Sequence, residues 1–248
     1  MSGSDKLRQT IANNKIGSAW ALNVEKQVVA ATKMAVEKMI LTNPNYQFTW
    51  DEELKKSDIH SILKKQFSDP SVGSNLTVVD SGIKPDGGFI YIETPNKNKL
   101  LLGATEAKKQ GTNDLREEEG LKKQARGNAV ERTNKNYVEI GNYFLCEDIF
   151  PYLIFMKGCD LEDTATSNGG RGPSSIRDRI TSMNLGCPFN VLYVNKLADN
   201  LGRLHPRASI FIGAEDIKIM SDTIFEMLDI SMKYYINKYP GEFNDLSK

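Results

Sequence analysis

Three residues carry the strongest chemical suggestion in this chain: Asp86, Glu106 and Lys108. Asp86 lies in "IKPDGGFIYIE" (83–93), and the other two lie in "TEAK" (105–108). Pro-Asp-Gly-Gly is a turn sequence. Proline presets φ at the second turn position, Asp bonds its own backbone, and Gly accepts positive φ. The plain reading of Asp86 is therefore a turn former. The residues downstream of it support a second reading. Residues 88–95 and 100–108 read as strands joined by a turn at 96–99. Alternate side chains of a strand point the same way, so Glu106 and Lys108 share a side while Ala107 packs on the other. Hairpin pairing then brings Asp86 close to Glu106. Two carboxylates and an ammonium meet at one end of a sheet.

That trio suits metal-assisted phosphodiester cleavage. Hard Mg²⁺ prefers carboxylate oxygens, phosphate and water. Such an ion polarises the phosphate and helps to ionise water. A lysine beside it positions the attacking water and neutralises charge on the pentacovalent phosphorus. Two carboxylates held this close repel until a cation arrives. The bland alternative is a strand edge with an ordinary Glu/Lys pair, because exposed E-x-K triplets are common.

The elements that must position the trio can be read from periodicity. Residues 24–41 repeat apolar side chains at helical spacing and stop before Asn43-Pro44. Residues 57–67 read as a second helix, with Ser57 as its N-cap. Residues 75–80, 88–95 and 100–108 read as an antiparallel meander. Residues 128–145 read as helix, and 152–158 as a strand buried on both faces. A Gly/Ser/Thr loop follows at 164–175, then helix at 177–185, strands at 190–197 and 208–213, and a turn at His205-Pro206. Residues 216–235 form a closing amphipathic helix. Helices alternating with buried strands indicate an α/β class with a mixed central sheet flanked by helices. The chain reads as one domain, 1–248, with a loose arm at about 1–15. Trp20 and Trp50 read as core or interface side chains.

Composition narrows the class. Lys plus Arg equals Asp plus Glu, 32 each, so net charge does not point to a polyanion, although a local basic cleft is compatible with it. Cys146, Cys159 and Cys187 are widely spaced and read as buried free thiols in a reducing compartment. Two distant histidines, His60 and His205, argue against zinc-finger and most His-based hydrolase chemistry. The polar N-terminus is no signal peptide, and no apolar run approaches a membrane span. A cytoplasmic protein is expected.

The motif P-D…(D/E)-x-K is shared by a large nuclease superfamily. A further segment, "QARGNAVERTNKN" (124–136), resembles the recognition segment of the EcoRI family of type II restriction endonucleases. The resemblance covers "SGIKPDGG", "ATEAKKQG" and "DRITSMNLGCPFN" in the family's order, and extends upstream through "ELKKSDIHSILKK". It implies a restriction-endonuclease-like fold and a site-specific deoxyribonuclease. Asp86 and Glu106 would bind Mg²⁺, and Lys108 would assist the water. Asn128, Glu131 and Arg132 would bond base edges in the major groove. Ala125, Gly127 and Ala129 would contact pyrimidines through backbone and small apolar surface. Arg179, with Arg177 beside it, would read the outer base pair or hold the recognition segment. Glu52, or the adjacent Asp51, matches an acidic position near the family's active site, and Lys84 precedes the Pro-Asp pair. For Asn128 an N-cap role is compatible with recognition; for Glu131 and Arg132 the alternative is a helix-surface pair.

The resemblance also implies a two-fold symmetric homodimer on a palindromic duplex containing AATT, with GAATTC and 5′ overhangs as the full expectation. A cognate DNA methyltransferase is expected in the same cell. The stretch between Lys108 and Gly127 is shorter than in the family, where it builds DNA-wrapping arms. Lys122, Lys123, Arg126 and Lys135 are candidate phosphate contacts or a solvated face. The helix near 137–147 and the closing helix are candidate dimer faces. Two rivals remain open: a structure-specific nuclease of the same superfamily, and a non-catalytic DNA-binding module.

Overall fold

The structure is a computed structural model that describes residues 15–71, 74, 81–109, 120, 128–144, 147, 149–157, 195–196, 204–205, 209–212 and 216–243. Helix α1 spans Lys15–Thr42. It buries Val24, Val28, Ala31, Ala35 and Met39, a three-and-four spacing that lays them along one stripe. The helix begins earlier than its apolar periodicity predicts. It closes on Asn43, whose backbone N–H reaches the Met39 carbonyl at 3.0 Å, just before Pro44 prevents continuation.

Strand β1 (Gln47–Asp51) and the short β2 (Leu54–Lys55) lead into helix α2 (Lys56–Phe67). Its N-cap is Lys55, with no side-chain cap bond. Ser57, the expected cap, instead lies inside the first turn, where its carbonyl accepts from Ser61 Oγ at 2.8 Å. Strand β3 (Gly82–Ile83) pairs with β2. Strand β4 is Phe89–Glu93, and β5 is Lys99–Lys109. Helix α3 is Asn128–Tyr143, and β6 is Tyr152–Lys157. The two-residue strands β7 (Asn195–Lys196) and β8 (Leu204–His205) form a small separate ladder. His205 is thus paired strand rather than the expected turn. Strand β9 is Ser209–Ile212, and helices α4 (Ile217–Lys238) and α5 (Pro240–Phe243) close the chain. Asp216 caps α4, accepting from the Lys218 and Ile219 backbone at 2.7 and 3.3 Å, the arrangement that satisfies orphan N–H groups of a first turn.

The central sheet runs β1-β4-β5-β6-β9. β1, β4 and β5 are antiparallel, and β6 and β9 join parallel to β5. The mixed α/β expectation is met. The meander is corrected on one side: the outer neighbour of β4 is β1. Its half-buried, polar-rich "QFTWD" gives little strand signal of its own. The predicted strand at 75–80 lies outside the described residues. So do the 164–175 loop, the 177–185 helix, residues 1–14 of the expected arm (Lys15 already begins α1) and all three cysteines.

Two layers of helix cover the sheet, and alternation along β5 assigns them. A Cβ on Gly103 would lie 2.5 Å from a Met227 methyl on α4, and Thr105 bonds Thr32 of α1 at 2.9 Å. On the stretch after the register shift, Gly103 and Thr105 therefore face α4 and α1. Glu106 points to the other face, where Asn136 of α3 approaches it at 3.4 Å. Beneath α3, Tyr137 meets Phe150 edge-on with ring centroids 4.7 Å apart. Phe150 neighbours Phe144 and Tyr152, each at 6.0 Å. Among the described residues, no helix is long and apolar enough to cross a membrane.

Candidate active site

The turn at Pro85–Gly88 places the first carboxylate. Gly88 N–H donates to the Pro85 carbonyl at 2.9 Å, so Pro85 holds the first turn position, not the second. The positive φ falls on Gly88, at 75°, rather than on Gly87. Gly88 needs its lack of a Cβ twice over, because a side chain there would strike the Trp50 indole and the Asp51 carbonyl. Gly87 N–H donates to the Thr105 carbonyl at 3.0 Å, and Asp86 Oδ2 accepts from Ala107 N–H at 2.9 Å. The Asp86 carboxylate is thus bolted to the backbone of β5 between the positions of Glu106 and Lys108.

Glu106 is 2% exposed. Its Oε1 accepts from Lys108 Nζ. Its Oε2 faces Asn136 Nδ2 and the Tyr152 hydroxyl, each at 3.4 Å. Burial pushes the Tyr152 hydroxyl well above its ordinary range, so it remains a donor to the carboxylate. Burial also raises Asp86, against the opposing pull of Lys108 and the Ala107 N–H. Burial lowers Lys108; Asp86 opposes that shift, Arg132 adds to it, and Glu25 opposes it. An ammonium made easier to deprotonate, beside two carboxylates, fits water activation and charge neutralisation.

The raised Asp86 has a stability consequence. A folded pKa above the unfolded value means the folded state binds the proton more tightly. Stability is therefore lost as pH rises through the folded value. Asn at this position carries no charge and keeps an acceptor for Ala107 N–H. Asp86→Asn is expected to melt no lower than the parent at pH 7 in metal-free buffer. Any advantage should shrink as pH falls into the range where Asp86 itself is protonated. Calorimetric melting across that range checks it, and a lower Tm at pH 7 would make the Asp86 charge a net stabiliser.

The other sequence-predicted residues fall into separate groups. Asn128 and Ala129 open α3, followed by the exposed Glu131 and Arg132. Arg132 lies one helical turn before Asn136, on the flank of α3 that faces the trio. Lys84 pairs with Glu53 at 3.3 Å, and Asp51 with Lys99 at 3.3 Å, while Glu52 is exposed. Lys135 approaches Glu139 at 3.9 Å. Ala125, Gly127, Arg177 and Arg179 lie outside the described residues.

Four contributors were missed from sequence: Asn136, Tyr152, Thr32 and Trp50. Asn136 has a retrospective signal, since it continues the i, i+4 line of Asn128 and Arg132 along α3. Trp50 donates its indole N–H to the Gly87 carbonyl at 2.9 Å, fixing the turn behind Asp86. Nothing local marks Tyr152 or Thr32.

This arrangement can be set beside known proteins. The profile of the family described as restriction endonuclease EcoRI matches residues 13–239. The chain belongs to the EcoRI restriction endonuclease family. It is 32% identical over 224 residues to the type II restriction enzyme EcoRI of Escherichia coli, covering 79% of this chain and 80% of that protein. It is 31% identical over 179 residues to the type II restriction enzyme RsrI of Cereibacter sphaeroides, covering 64% of each. Membership of the EcoRI family makes the chain a restriction endonuclease, a nuclease that cleaves double-stranded DNA at specific sites with a divalent metal ion.

The donor set accommodates such an ion. Among the described residues no group of three or more His, Cys, Asp and Glu side chains gathers to hold a metal. Asp86 and Glu106 form a pair of hard oxygen donors, leaving the rest of the coordination shell to water and substrate phosphate. That division suits a small, strongly hydrated cation.

Proposed function

We propose that this one-domain protein is a Mg²⁺-dependent type II restriction endonuclease acting in the cytoplasm. It would work as a two-fold symmetric homodimer and cut a palindromic duplex containing AATT, with GAATTC as the full site and 5′ overhangs. The observation that carries the reading is the Asp86 carboxylate, held at 2.9 Å on Ala107 N–H beside Glu106 and Lys108. A cognate methyltransferase would protect the same sequence in the host's own DNA.

Asp86 and Glu106 would hold the cation, which when bound supplies a Lewis acid for the scissile phosphate and for water. The chain's own groups do the positioning. Tyr152 and Asn136 hold Glu106 Oε2, while Ala107 N–H holds Asp86. Lys108, poised by burial, orients the attacking water and stabilises charge that develops on the phosphorus. Asn128, Glu131 and Arg132 would read purine and amino edges, since Asn matches the paired groups of adenine and Arg those of guanine. Ala125, Gly127 and Ala129 would pass close to pyrimidines. Arg179 and Arg177 would serve the outer pair, and Glu52 and Lys84 the margin of the catalytic site.

The test is direct. A randomised duplex library is incubated with the protein in Mg²⁺ or in Ca²⁺, and the cut ends are sequenced. Ends clustered on one AATT-containing palindrome in Mg²⁺ alone are expected. Scattered ends would instead indicate a general or structure-specific nuclease. Binding without cleavage would indicate a non-catalytic module. Asn128→Ala is expected to lose ~1–3 kcal/mol of discrimination at one adenine. Unaltered cleavage ratios on substituted sites would remove Asn128 from the reading set.

A further inference from the structure

A groove of about 440 Å³ opens beside Asp86 along the middle of α1, lined by Glu25, Lys26, Val29, Ala30, Lys33 and Asp86. Lys26 and Lys33 are exposed and stand seven residues apart, which places them on one face two helical turns from each other. Between them Val29 and Ala30 present short apolar side chains. The groove is tied to the catalytic end at two points. The Lys33 ammonium lies 5.6 Å from the centroid of the Trp50 ring, and that indole holds the Gly87 carbonyl at 2.9 Å, next to Asp86. Glu25 acts electrostatically on Lys108. Lys33 and Glu25 thus both connect the groove to the catalytic end, one through Trp50 and the other through its charge.

We propose that this groove seats the sugar–phosphate backbone of the cleaved strand beside the scissile bond, with Lys26 and Lys33 each pairing one phosphate. The inference deepens the DNA-cleaving reading and rests on it. Three features favour this occupant: two exposed ammonium groups two helical turns apart on one face of α1, small apolar residues where a deoxyribose can pack, and continuity with the Asp86 carboxylate. Contacts of this kind carry no sequence information and act on affinity alone.

The experiment measures binding of the full-length protein to cognate and unrelated duplexes in Ca²⁺, by fluorescence anisotropy over a range of salt concentrations. Removing one phosphate contact lowers the slope of log K against log salt by about 0.9. Lys26→Ala and Lys33→Ala should each lose roughly that much, and the double variant about twice as much, equally on both duplexes. The charge-retaining pair Lys26→Arg with Lys33→Arg should keep the parental slope. Lys97→Ala should keep it as well, because Lys97 sits on the β4–β5 turn at the far end of β5 from Glu106.

A parental slope in the double alanine variant would overturn the proposal. So would an equal fall in Lys97→Ala, which would reduce the effect to net charge. A fall in the arginine pair would assign the loss to damage in α1 and overturn it too. If the parent itself neither binds nor cuts duplex DNA, the DNA-cleaving reading fails first. If the parent cuts normally and the slope does not move, only the groove assignment fails.

Discussion

Glu106→Gln is expected to abolish cleavage while leaving site-specific binding intact or tighter. The substitution keeps the volume of a side chain that is 2% exposed, and its amide oxygen can still accept from Asn136 and Tyr152. It removes the charge that a hard cation requires and that Lys108 Nζ pairs with. Metal stabilisation of a phosphoryl transition state amounts to several kcal/mol, so the rate should fall by at least about 10³-fold. Binding should not fall with it, because a buried carboxylate near the scissile phosphate repels the DNA and Gln does not. Single-turnover cleavage in Mg²⁺ and anisotropy in Ca²⁺ separate the two effects. Parallel loss of cleavage and binding, with a lowered Tm, would make Glu106 a structural residue and sink its assignment as a metal ligand.

Gly87→Ala is expected to cost both activity and stability, for a purely steric reason. Gly87 does not have a positive φ, so the backbone itself tolerates a side chain. The space does not: a Cβ would overlap the Thr105 hydroxyl and lie 2.7 Å from Thr32 Oγ1. Those two hydroxyls bond each other at 2.9 Å, and Thr32 Oγ1 also donates to the Val28 carbonyl at 2.9 Å. Neither can swing away without losing a buried bond. Overpacking of this kind costs ~1–3 kcal/mol. Displacing the turn moves Asp86 relative to Glu106, and a shift of about 1 Å at such a site costs on the order of 10²-fold in rate. Thr105→Ala in the Gly87→Ala background opens the space, so the double variant should recover activity toward that of Thr105→Ala alone. Such strong non-additivity is what shared packing produces. Parental cleavage rates in Gly87→Ala would show that the turn tolerates the methyl group, and would remove the α1–β5 clamp from the account.

How much was legible without tertiary structure depended on how local the signal was. Asp86, Glu106 and Lys108 could be found because turn chemistry, a hairpin and period-two alternation are all written in neighbouring residues. Helices α1, α3 and α4 could be found because buried residues recur every three or four positions, as Val24, Val28, Ala31 and Ala35 do. The partner of β4 could not, because β1 is short and half-buried and its pairing spans some forty residues. The face on which Glu106 emerges was also decided in three dimensions. The β4–β5 register shifts between Ile90 and Tyr91, with Gly103 and Leu101 as successive partners. A slip of one residue transfers a whole strand's side chains to the opposite face. Asn136, Tyr152, Thr32 and Trp50 entered the site in the same way. Apart from Asn136, which continues the line of Asn128 and Arg132 on α3, each is unremarkable among its own neighbours, and all four acquire a role only when α3, β6 and α1 are packed against β5 and β1 against β4. The sequence by itself determined which groups are proposed for the chemistry, because their type and local spacing define the motif. Tertiary structure alone decided what holds them, because contacts between distant segments form only when the apolar faces of those segments are buried together.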